Sequence, residues 1–205
     1  MKRAKIAVLI SGRGTNLQSL LDACATEDFP AEVSLVISNR PNAPGLERAT
    51  KAGVTQAVID HKEFQSREDF DTAMNDALQV SGVDYVCLAG FMRMLSPWFV
   101  EQWRKRLINI HPSLLPAFKG LHVHERMIDA GVKIAGCTVH FVSADLDGGP
   151  IIGQAAVPVL PNDTHKTLAE RILEQEHKLY PACLKILVTG GARLSAGKVL
   201  SLIHI

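Results

Sequence analysis

An amide and an imidazole stand two residues apart in the stretch Ile108-Asn109-Ile110-His111-Pro112-Ser113-Leu114-Leu115-Pro116. On an extended chain that spacing puts Asn109 and His111 on the same face. The apolar run from Arg106 to Ile110 reads as a strand, and Pro112 ends it just beyond the histidine. A carboxylate on another loop would fix the tautomer of such an imidazole. Asp147, in Asp147-Gly148-Gly149-Pro150, is the candidate. Amide, imidazole and carboxylate together are the parts of a group-transfer site that stabilises a tetrahedral oxyanion and moves a proton. Taken singly, a histidine is more often structural and an aspartate before two glycines more often shapes a turn. Their convergence at a strand end argues for catalysis, because open α/β sheets bind ligands beyond the carboxyl ends of their strands.

A second constellation is Ser11-Gly12-Arg13-Gly14-Thr15-Asn16-Leu17, between the first apolar run and the first helical pattern. Glycines admit a ligand close to the backbone, and a helix N-terminus offers free N–H groups and a positive dipole end, so a phosphate is the natural guest. A dinucleotide fingerprint is not met. Leu17 stands where its third glycine belongs, and Ser38-Asn39-Arg40 stands where its acidic residue would follow the second strand. The lysine of a P-loop is absent too. A mononucleotide-like phosphate therefore fits better than an NADP-dependent oxidoreductase with Arg40 on the 2′-phosphate. His122, His124 and His140 lack acidic or cysteine partners at metal spacing, and no metal is expected. Gly90-Phe91-Met92-Arg93-Met94-Leu95 gives a strand-end loop the adaptable apolar walls that suit a flat heteroaromatic ligand.

The elements that must position these residues follow from hydrophobic periodicity. Continuous apolar runs at 6–10, 33–37, 54–59 and 84–89 alternate with helical patterns at 15–25, 43–52 and 67–80. That alternation predicts an α/β fold, an open, mostly parallel twisted sheet with helices on both faces. The C-terminal half changes character, with a Pro-rich loop at 112–120, a short helix at 124–130 and two strands at 134–142 and 151–159. A long helix follows at 164–188, interrupted near Pro181, and the tail from Leu194 to Ile205 receives no role.

The chain has 205 residues, expected to form a single catalytic domain with an ordered core from about 5 to 189. Its 22 basic and 21 acidic residues leave a net charge of +1, so neither nucleic acid nor an anionic membrane is an expected partner. The apolar run behind Met1-Lys2-Arg3-Ala4-Lys5 is too short for a signal peptide, and no run reaches transmembrane length. Cys24, Cys87, Cys137 and Cys183 are scattered without a CxxC, as in a reduced, cytoplasmic protein.

With these motifs in place, the chain resembles the phosphoribosylglycinamide formyltransferase family of folate-dependent enzymes. The resemblance is collinear from Lys5 to about Val188. It includes Asn42-Ala43-x-Gly45-Leu46-Glu47-Arg48-Ala49, Ser66-Arg67-Glu68, Gly136-x-Thr138-Val139-His140-Phe141-Val142 and Gln175-Glu176-His177, besides the stretches quoted above. It implies a Rossmann-like formyltransferase fold and formyl transfer from 10-formyltetrahydrofolate, a cosubstrate, to the amine of glycinamide ribonucleotide in purine biosynthesis. Asn109, His111 and Asp147 fall on the family's catalytic positions. Gly14, Thr15, Asn16 and Glu176 match ribonucleotide contacts, while Arg67, Met92, Arg93, Met94, Leu95 and Asn109 match folate-side positions. Small-molecule substrates and a monomer or homodimer are implied, with no metal. Leu173, one turn before Glu176, departs from the polar or basic residue that relatives often carry, which bears on phosphate affinity rather than on reaction type. The neighbouring readings are a 10-formyltetrahydrofolate hydrolase, a formyltransferase with another acceptor amine, and a non-catalytic folate or nucleotide binder.

Overall fold

The computed structural model describes residues 2–201. They fall into two compact units, residues up to Ile108 and residues from Asn109 onward. In the first, strands β1 (Ala4–Ile10), β2 (Ala31–Ser38), β3 (Thr55–Val58) and β4 (Tyr85–Leu88) alternate with helices α1 (Thr15–Cys24), α2 (Gly45–Lys51) and α3 (Arg67–Val80). The pairings β1–β2, β1–β4 and β2–β3 are all parallel. Ile6 to Ile10 are completely buried, as a strand with neighbours on both sides requires. Helix α3 is capped by Ser66, whose hydroxyl accepts from the Asp69 amide, and buries Phe70, Met74 and Leu78 at helical spacing. A short helix α4 (Pro97–Gln102), capped by Ser96 with Pro97 in its first turn, closes the unit; its six residues give too little periodicity to be seen in the sequence.

The chain passes between the units in β5 (Leu107–His111). The second unit continues with α5 (Val123–Asp129), β6 (Ile134–Phe141), β7 (Ile151–Pro158) and α6 (His165–Val188). Strands β6 and β7 pair antiparallel, with Thr138 opposite Gln154. The full strand order is β3-β2-β1-β4-β5-β6-β7, a mostly parallel seven-stranded sheet with an antiparallel end, as the sequence pattern predicts.

Two features differ from the expectations. Helix α6 runs unbroken through Pro181. Tyr180, Cys183, Leu184 and Leu187 continue its buried face past the proline, and that packing outweighs the lost backbone hydrogen bond. The tail forms a hairpin, β8 (Ala192–Ser195) and β9 (Lys198–Ser201), turning through Ala196 and Gly197, both at positive φ. The tail residues 202–205 lie outside the described residues. All four cysteines are buried. Among the described residues, no helix is long and apolar enough to cross a membrane.

Candidate active site

In the second unit the three residues singled out as catalytic come together. His111, at the end of β5, is buried, and its Nε2 lies 3.0 Å from the backbone oxygen of Phe118. A carbonyl only accepts, so Nε2 carries a hydrogen. Nδ1 faces Oδ2 of Asp147 at 3.4 Å, with both side chains less than a tenth exposed. Oδ2 also accepts from the Gly120 amide at 2.8 Å.

Asp147 reaches this position through strained backbone. Its φ is +47°, in the left-handed region where side chains other than glycine pay a steric cost. The glycine at 149 is needed because a Cβ there would meet the Phe141 oxygen at 1.8 Å. The loop from 142 to 150 can thus fold tightly over the end of β6 and aim the carboxylate at His111.

Asn109 is oriented by a residue that sequence reasoning considered only as a third imidazole for a metal. His140, on β6, places Nδ1 2.9 Å from the Phe141 oxygen, so Nδ1 donates there. Burial pushes its pKa below the ordinary histidine value and keeps the ring neutral, although the Phe141 carbonyl and Asp147 pull the other way. Its Nε2 is therefore a lone pair, and it faces Nδ2 of Asn109 at 3.2 Å. One N–H of the amide is thus held by His140. Oδ1 of Asp147 lies 3.9 Å from the same Nε2.

Behind the cluster, the Pro-rich loop is fastened to the antiparallel strands by buried polar side chains. Thr138 Oγ1 donates to the Ser113 oxygen at 2.7 Å and accepts from the Leu115 amide at 3.0 Å. Gln154 Nε2 donates to Thr138 Oγ1 and to the Leu115 oxygen, each at 2.9 Å. Ser113 Oγ donates to the Ala117 and Phe118 oxygens, which fixes the carbonyl that His111 uses. The Leu115–Pro116 bond in this loop is cis. Asp147, Lys119, Pro150 and hairpin residue Lys198 border a cleft of about 410 Å³, a volume in the range of small-molecule sites. Glu176 is buried on α6, where its charge helps raise the pKa of the Cys137 thiol to about 12, mainly an effect of burial.

The remaining site residues lie in the first unit. Gly14 precedes α1 at φ +68°, and no side chain caps the helix. A Cβ at Gly14 would lie 2.8 Å from the Cα of Gly45, so two glycines let the loop and α2 pack backbone to backbone. Gly12 accepts from the Gly45 amide at 2.9 Å, and Arg48 Nε donates to the Arg13 oxygen at 2.9 Å. Thr15 and Asn16 are the first two helical residues. Arg67 is exposed at the start of α3. Met92, Arg93 and Met94 are exposed and Leu95 half-buried on the loop after β4; two exposed methionines in one loop are what a ligand wall would present. Among the described residues, no group of His, Cys, Asp and Glu has metal-holding geometry.

The chain is similar to known proteins over nearly its whole length. Residues 4–184 match the formyl transferase family. The phosphoribosylglycinamide formyltransferase of Haemophilus influenzae is 46% identical over 93% of this chain and 90% of its own length. The bovine trifunctional purine biosynthetic protein adenosine-3 is 50% identical over 94% of this chain, and the chain spans 19% of its length. Among solved structures, glycinamide ribonucleotide transformylase 1 from Symbiobacterium toebii superposes with a TM-score of 0.96 at 48% identity, covering 98% of this chain and 95% of that one. The chain belongs to the formyl transferase family, and within it to the phosphoribosylglycinamide formyltransferases.

Proposed function

We propose that the protein transfers the formyl group of 10-formyltetrahydrofolate to the amine of glycinamide ribonucleotide, a step of purine biosynthesis. The observation that carries this reading is the joined set of Asn109, His111 and Asp147, with the amide turned by His140 and the imidazole held between a carbonyl and a carboxylate. The amine nitrogen attacks the formyl carbon, and the carbonyl electrons move onto oxygen. Asn109 Nδ2–H donates to that oxyanion, and His111 Nδ1–H, which faces Asp147 in the structure, shares its hydrogen between the carboxylate and the oxyanion as the charge develops. Asp147 takes the proton from the attacking ammonium, directly or through water, and returns it to N10 as the C–N10 bond breaks. One C–N bond forms, one breaks, and the amine proton ends on the leaving nitrogen. No redox step is involved.

The first unit supplies the binding groups in this reading. Gly14, Thr15 and Asn16 offer backbone N–H groups to the ribonucleotide phosphate, while Arg67, Met92, Arg93, Met94 and Leu95 contact the folate. Glu176, in the second unit, contacts the ribonucleotide, and Asn109 touches the folate as well as the oxyanion. The enzyme works in the cytoplasm on small molecules as a monomer or homodimer. The test follows folate product absorbance with a 10-formyl-folate analogue, with and without glycinamide ribonucleotide. Turnover that requires the ribonucleotide is expected. Turnover without it would mean hydrolysis, and turnover only with a different amine would mean another acceptor; either overturns the proposal.

A further inference from the structure

We propose that Ser11 is a positioning residue shared by two substrate loops of the first unit, so that one hydroxyl sets the geometry of both. The inference rests on reading 14–16 as the ribonucleotide subsite and 92–95 as folate-side positions. Ser11 is the first residue beyond β1 and leads directly into Gly12 and Gly14. It is 3% exposed, and Asn39, just beyond β2, is 1% exposed. The Ser11 hydroxyl donates to Asn39 Oδ1 at 2.6 Å and accepts from the Met92 amide at 2.7 Å. The Ser11 amide donates to the Gly90 oxygen at 3.2 Å. One residue thus ties together the chain leaving β1, β2 and β4. Asn39 is held in turn, with its Nδ2 3.2 Å from His61 Nδ1.

The need for a hydroxyl here is physical. The parallel ladder between β1 and β4 runs out at Leu9 and Leu88, followed only by the Ala89 amide bond to the Leu9 oxygen and the Ser11 amide bond to the Gly90 oxygen. Beyond that point the backbone of Met92 has no strand neighbour, and only a group that donates and accepts at once can bridge it to Asn39. The far end of the same loop is also fastened, since the Ser96 amide donates to buried Asp71 at 2.6 Å. Met92 is largely exposed, whereas Asn39 is buried and its Oδ1 loses this donor when the hydroxyl is removed. Loss of Ser11 therefore costs loop placement as well as some stability.

The test is a steady-state comparison of the full chain with Ser11→Ala, Ser11→Cys and Ser11→Thr. Ser11→Ala is expected to raise KM for both the 10-formyl donor and the ribonucleotide by roughly five- to tenfold, with kcat within about twofold, the loss of a bridging buried hydrogen bond. Ser11→Cys, which keeps the volume but bonds weakly, moves both constants the same way and decides the matter should the alanine variant fold poorly. Ser11→Thr retains the hydroxyl and restores at least one KM. Arg171→Gln, which breaks a two-pronged pair with Asp163 in the second unit, lowers the thermal midpoint and leaves both KM values unchanged. A rise in only one KM, or in neither, for both the alanine and cysteine variants overturns the shared role. Absence of ribonucleotide-dependent turnover in the unsubstituted protein would instead overturn the functional reading on which it rests.

Discussion

His140 shows how one buried side chain governs the orientation of another, Asn109. Its Nδ1 is committed to the Phe141 oxygen, its ring is kept neutral by burial, and its Nε2 lone pair therefore dictates which way the Asn109 amide points. Replacing it with phenylalanine keeps an aromatic ring of similar bulk and removes that dictation. We expect His140→Phe to lower kcat by about tenfold, a fraction of the loss from deleting an oxyanion donor outright, with little change in either KM. The same residue leaves a mark on stability. Its native pKa is lowered, so the unfolded chain binds a proton that the native chain refuses. Stability from this source is present above the ordinary histidine value of about 6.5 and is lost as pH falls below it. His124, also depressed mainly by burial, adds to the trend. Urea midpoints measured at pH 5.5 and 7.5 will differ less in His140→Phe than in the unsubstituted protein.

At the scale of elements, the site depends on how a strand end, a Pro-rich loop and a tight hairpin loop are fastened within the second unit. Thr138 is the central fastener, fully buried with three hydrogen-bond partners. Thr138→Val preserves shape but removes the hydroxyl shared by the Leu115 amide, the Ser113 oxygen and Gln154, leaving the first two only the 3.2 Å bond between them. A loss of about 1–2 kcal/mol in unfolding free energy is expected from the buried hydrogen bonds removed. Ser113, whose hydroxyl holds the Phe118 carbonyl beside His111, loses its bond from Thr138, so kcat falls with stability; a variant with unchanged denaturation midpoint and kcat would refute this role. The cluster of Asn109, His111 and Asp147 was legible because it rests on local rules: period-two spacing puts Asn109 and His111 on one face, Pro112 ends the strand, and Gly148-Gly149 marks a turn that presents Asp147. The fasteners were not. Thr138, Gln154 and His140 lie 16 to 39 residues from their side-chain or loop partners, and no local pattern encodes such pairings. Pro181 misled in the other direction, since tertiary packing on both sides overrides a local helix breaker.

At the scale of the whole molecule, a chain of +1 net charge has no global field with which to gather anionic substrates. Recognition must be local, through the α1 N-terminus, exposed arginines and shaped loops. Fold class was read correctly because strand and helix alternation is a property of long segments, averaged over many residues. The hairpin β8–β9 was missed because its two strands have only four residues each. The account as a whole stands on His111 as the group that serves the oxyanion under the control of Asp147. The most direct test is kcat of His111→Ala with both substrates saturating, beside a circular dichroism check of folding. We predict a fall in kcat of about 10²- to 10⁴-fold in a normally folded protein. A folded His111→Ala enzyme with kcat within about threefold of the original would contradict the mechanism.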